Sequence, residues 1–171
     1  MAETNTIRKQ VTVGAPIEKA FRVFTEGFDG WWPRGHHIGK SGMKQAVMEQ
    51  KPGGRWYEIG DDGSTCEWGK VLAWEPPTRL VLAWQITSQW AYDPNFVTEV
   101  EVTFAPLGTS ETLVTLEHKH MDRFGDGWQT HFASMDSEGG WGRLLKIFAA
   151  DAEGDLDTKM AILKELEMPE V

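Results

Sequence analysis

A chain of 171 residues can hold one good core and little more. With 40% hydrophobic and 25% charged residues it reads as soluble and globular, and a formal charge of −9 with a pI near 5.0 argues against nucleic acid or an anionic membrane as partner. Cys66 is the only cysteine, so an internal disulfide is excluded. No apolar run is long enough to span a bilayer and Met1 to Gln10 lacks a signal-peptide core, so a cytoplasmic protein is expected.

In chain order, Ile7 to Val13 alternates apolar and polar residues and predicts a first strand. Gly14-Ala15-Pro16 breaks it and sets Pro16 at the first turn of a helix. Ile17, Ala20, Phe21 and Phe24 have helical spacing there, with Gly27 as the stop. Phe28, Trp31, Trp32 and Pro33 make a short apolar segment, and Gly35 to Gly42 reads as loop. Strands are then expected over 45–50, 55–59, 65–74, 79–86, 97–104 and 112–120. Gly60-Asp61-Asp62-Gly63 is a hairpin turn between two of them, and Glu75-Pro76-Pro77-Thr78 turns another pair.

The stretch Ser134 to Ala150 predicts a long helix, because Trp141, Leu144, Leu145 and Phe148 recur at i, i+3, i+4 and i+7. Asp136 or Ser137 is expected to cap it, with Arg143 and Lys146 on the wetter side. Residues 1–154 form a single domain in this reading, and 155–171 a helical tail, docked or frayed. One strand, a helix, five or six strands without crossover helices and a late helix specify an α+β helix-grip architecture. A curved antiparallel sheet of about six or seven strands would wrap the C-terminal helix and leave a cavity, where small ligands bind.

Several short motifs occur in a recognisable order. They are Val13-x-Ala15-Pro16, Gly53-Gly54, Gly69-x-Val71, Pro76-Pro77-x-Arg79-Leu80 through Trp84, and Gly140-Trp141. Together they resemble the START-like (Bet v 1-like, SRPBCC) superfamily over roughly residues 7–150, in the branch of the activator of heat-shock-protein ATPase. Three further strings are similar to bacterial members that include enediyne self-resistance proteins. These strings are Phe24-x-Glu26-Gly27-Phe28-x-x-Trp31-Trp32-Pro33, Gly53 to Ile59, and Glu117-His118-x-His120-x-Asp122-Arg123. The resemblance implies binding of a hydrophobic small molecule or stimulation of a chaperone, and it supplies no catalytic residue set to carry over.

Nine tryptophans are unusual, because each indole N–H needs an acceptor once buried. Trp56, Trp68 and Trp84 fall on predicted strands, where they would line the cavity or fill the core, and Trp141 sits on the helix stripe. Of the adjacent pair Trp31 and Trp32, one is expected in the core and the other exposed or lid-like. Trp90, in a loop, is the expected gate.

His118 and His120 share the apolar face of their strand with Val114 and Leu116, so both should point inward near one cavity end. They would serve structure, ligand contact or acid/base work. Glu58 would be a buried carboxylate with a raised pKa, and so a general base, if the Trp56 face is inside; the solvated reading is preferred. His36-His37 is expected to be exposed, and Cys66 a small apolar filler. Gly139-Gly140 lacks the Lys-Ser/Thr of a phosphate loop, no zinc motif occurs, and no cofactor or metal is expected.

Three functions follow. The first is a non-catalytic binder of an aromatic or polycyclic molecule, for self-resistance or sequestration. The second is a cyclase or dehydratase using His118, His120 or Glu58, and the third a chaperone ATPase activator.

Overall fold

The computed structural model describes residues 5–167, apart from the side chains of residues 138, 139 and 167. The first four residues of the polar N-terminal stretch and the last four of the expected tail lie outside them. Seven strands form one antiparallel sheet in the order β1-β7-β6-β5-β4-β3-β2. They are β1 (Ile7–Val13), β2 (Met43–Met48), β3 (Arg55–Gly60), β4 (Thr65–Glu75), β5 (Arg79–Trp84), β6 (Thr98–Pro106) and β7 (Thr112–Lys119). In β7 every second residue is buried, which is the period-2 pattern of a sheet with one face on a core. Register shifts interrupt the β2–β3, β3–β4 and β4–β5 pairs, whereas β5–β6, β6–β7 and β1–β7 run without one. Bulges bend and twist a strand, so the curl is concentrated in the half of the sheet that carries Trp56, Trp68 and Trp84.

Among the described residues five α-helices pack on the sheet or on one another: α1 (Ile17–Thr25), α2 (Phe28–Trp31), α3 (Trp128–Asp136), α4 (Arg143–Glu153) and, against α4, α5 (Leu156–Glu167). The stripe Trp141, Leu144, Leu145 and Phe148 is buried throughout. At about 25 cal/mol per Å² of apolar surface removed from water, this contact is what holds α4 helical. Ile162, Leu163 and Leu166 of α5 pack on the edge of the same core.

The predicted helix Ser134–Ala150 is two helices. Gly140 has φ −96° and ψ −133°, outside the helical region, within a π-turn over Glu138–Gly142 that separates α3 from α4. A Cβ on Gly140 would lie 2.1 Å from the Met135 carbonyl oxygen, so the close approach of the two helices at this kink requires glycine. Ser137 precedes the π-turn but caps no helix with its side chain: its hydroxyl donates back to the Ser134 carbonyl at 2.6 Å and closes α3. Nor does Asp136 cap one, being the last residue of α3 and paired with Lys9 at 3.0 Å.

Candidate functional site

The bulged half of the sheet and the α3–α4 kink hold a cavity of about 330 Å³ between them. Trp68 from β4 and Trp84 from β5 form its floor, and Trp141 and Leu144, at and beyond the kink, form one wall. Trp32, whose ring lies 6.1 Å from that of Trp141, and the loop from Gly35 to Ile38 continue the wall, and Ile86, Trp90 and Met135 also line the cavity. This size lies at the lower end of ligand-binding cavities, roughly 300–1,000 Å³.

Four of the five lining indoles have their N–H groups on protein acceptors. Trp32 donates to the His36 carbonyl at 2.8 Å, Trp84 to the Ile86 carbonyl at 3.0 Å, Trp68 to Glu58 Oε1 at 2.9 Å, and Trp141 to His118 Nδ1 at 3.1 Å. What these rings can offer a guest is therefore carbon surface. They also brace one another, with ring centroids 5.6 Å apart for Trp32 and Trp68 and 5.7 Å apart for Trp84 and Trp141.

His118 is fully buried behind that wall. Indole is a donor only, so Nδ1 of His118 accepts from Trp141 and the proton resides on Nε2. Nε2 donates to Thr98 Oγ1 at 2.8 Å, and the hydroxyl passes its own proton to the Trp84 carbonyl at 3.3 Å. Burial pushes the imidazole pKa down to about 3, with the charge of His131 adding in the same direction. The ring is thus a neutral strut that fixes two wall residues, and it lines no part of the cavity.

His120 does not join it. At φ 63° and ψ 37° the chain leaves the strand, and His120 lies outside the core, 3.7 Å from Glu99. The i, i+2 spacing holds only while the strand continues, and β7 ends at Lys119.

Glu58 is buried, contrary to the solvated reading. Trp56 and Glu58 face inward, while Arg55 and Tyr57 face out; there Arg55 Nε bonds Glu67 Oε1 across the strands at 2.8 Å. One Glu58 oxygen, Oε1, accepts the N–H groups of Ile38 at 2.7 Å and Gly39 at 3.1 Å as well as the Trp68 indole. Three donors on one oxygen suit an acceptor-only carboxylate. Oε2 has no hydrogen-bond partner and lies 3.7 Å from Nδ1 of His37.

Other expected site residues distribute differently. Trp31 and Trp32 are both buried, at 1% and 6% exposure, and only Trp32 reaches the cavity. Trp56 also lies in the core, its N–H without a protein partner. Trp90 is half-exposed at the cavity edge with φ 58°, its ring 5.3 Å from His131. His36 and His37 are not on the open surface: both are half-buried and line the cavity, and burial lowers the pKa of His36. Burial and the nearby Glu58 and Glu67 raise the Cys66 thiol pKa, the opposite of what a nucleophile needs. Among the described residues, no three His, Cys, Asp or Glu side chains group as a metal would require, and no helix is long and apolar enough to cross a membrane.

Residues 14–153 match the family described as activator of Hsp90 ATPase homolog 1-like protein. The chain belongs to this family. Among solved structures, this family member is similar to an anthrahydroquino-γ-pyrone synthase, Txn09, with 35% identity and a TM-score of 0.60 over 89% of this chain and 99% of that one. It is also similar to CalC, a self-sacrificing resistance protein from Micromonospora echinospora, with 34% identity and a TM-score of 0.66 over 88% and 95% of the two chains. A Nitrosomonas europaea protein at 16% identity and TM-score 0.61, covering 94% of this chain and 99% of its own, shares the fold. No curated protein matches the chain. The helix-grip fold of the START-like proteins, a curled seven-stranded sheet against a C-terminal helix, is therefore the architecture of this member too.

Proposed function

We propose that the protein binds a flat, largely apolar aromatic or polycyclic molecule in the cavity between sheet and helix. The observation that carries this reading is the convergence of five indoles on one void, four of them with their N–H groups already engaged by the protein. Such walls favour stacked and edge-on ring contacts over hydrogen bonds. The likeness to a self-sacrificing resistance protein supports a role in sequestering a reactive aromatic compound. Native mass spectrometry of the protein isolated from its source tests the reading. A co-purifying polycyclic compound at one per chain is expected, and failure of any polycyclic aromatic to bind the purified protein would contradict it.

A ring-closing enzyme is the second reading, favoured by one specific feature. His37 lines the cavity with a Glu58 oxygen 3.7 Å from its Nδ1, and a synthase is 35% identical to this chain. Turnover of a linear or partly cyclised aromatic precursor, followed by product mass, separates the two readings.

A further inference from the structure

We infer that His37, held by the Gly39 carbonyl with Glu58 nearby, is the acceptor for an acidic phenolic or enolic hydroxyl on the ligand, so that the cavity selects hydroxylated polycyclic aromatics. This rests on the cavity being the ligand site and names the chemistry of what it takes. Nδ1 of His37 is 3.0 Å from the Gly39 carbonyl oxygen. A carbonyl only accepts, so the proton is on Nδ1 and the lone pair on Nε2. No described residue hydrogen-bonds Nε2, and His37 lines the cavity.

The carboxylate behind the ring completes the arrangement. Glu58 Oε2, its free oxygen, lies 3.7 Å from the same Nδ1, while Oε1 is tied down by Ile38, Gly39 and Trp68. A hydroxyl donating to Nε2 pushes positive charge onto the imidazole, and Oε2 stands where that charge is balanced. If the proton transfers fully, the ligand becomes the oxyanion and His37 the imidazolium, with no other co-reactant. The loop passes close over the carboxylate: a Cβ on Gly39 would lie 2.8 Å from Oε2. The remaining lining is indole and aliphatic apart from His36, Ser134 and backbone, which leaves His37 as the one carboxylate-backed acceptor.

The test compares 2-hydroxyanthraquinone with anthraquinone, buffered where the free hydroxyl compound is un-ionised, on the wild-type protein and on His37→Phe. In the wild type the hydroxyl compound should bind about tenfold more tightly, the range of a hydrogen bond to a charge-backed acceptor. Its visible absorption should shift to longer wavelength, towards that of the anion. In His37→Phe both the preference and the shift should vanish while anthraquinone still binds. Equal binding of the two compounds to the wild type, or a preference that survives in His37→Phe, overturns the inference and leaves the cavity reading standing. Failure of both compounds to bind the wild type overturns the inference and the cavity reading together. Because the wild-type comparison stands alone, a variant that does not fold does not rescue the idea.

Discussion

Trp31 and Trp32 are neighbours in sequence and belong to different machines. Trp31 sits among Phe24 and Phe148, with centroids 5.0 and 5.5 Å away, and donates to the Val23 carbonyl of α1 at 3.2 Å. That end of the interior, with Phe21 and Phe104 also edge to face, is interlocked. Trp32 stacks on Phe28 at 4.9 Å, meets Trp31 edge-on at 5.7 Å and Trp68 at 5.6 Å, and lines the cavity. The difference lies in the backbone behind the rings. Unbroken registers and the regular turns of α1 and α4 close the first end, whereas bulged strands and the Gly140 kink hold the second end open. One residue type therefore stabilises at one end and makes room at the other.

The largest expected effect is at the closed end. Phe148→Ala, at a position with no exposure, should cost about 3–5 kcal/mol in urea unfolding, while ligand affinity of the folded variant stays close to wild type. If instead affinity collapses with stability, the two ends are not separable.

The strut at the boundary gives a smaller, pH-dependent effect. His118 has its pKa depressed from 6.5 to about 3, so below 6.5 the unfolded chain takes a proton that the folded chain refuses. Its contribution is complete above pH 6.5 and is lost as pH falls towards about 3, on the order of a few kcal/mol. Urea midpoints measured across that window should fall less steeply in His118→Gln than in the wild type. Parallel slopes would mean that His118 is not held neutral.

At the open rim the effect is smallest. Trp90→Ala should change stability by no more than about 0.5 kcal/mol, because the ring is half-exposed. It should weaken an aromatic ligand by about two- to tenfold, the worth of one ring pair. Unchanged affinity would remove Trp90 from the site.

Much of the closed end was legible in the sequence. β1 runs over Ile7–Val13 as its alternation predicts, and the other strands begin and end within two residues of expectation, because period-2 patterning and Gly, Pro and Asp turns are local signals. The stripe on α4 was equally plain. α3 begins ahead of the predicted helix although Trp128, Phe132 and Met135 recur at i, i+4 and i+7, and the Gly139-Gly140 pair marks the break that follows it. The open end was less legible because its polar contacts are non-local. The donors that bury Glu58 come from Ile38 and Gly39, twenty and nineteen residues away, and alternation through Arg55-Trp56-Tyr57-Glu58 offers bulk on both faces. The left-handed turn at His120, which takes it out of register with His118, has no such local mark.

Calorimetric titration of anthraquinone into the wild-type protein and into Leu144→Trp, which fills the cavity from α4, addresses the central claim most directly. One-to-one binding with a negative heat-capacity change is expected for the wild type, and at least a tenfold loss of affinity for Leu144→Trp folded to the same extent. Binding of equal strength to both would place the ligand elsewhere and contradict the account.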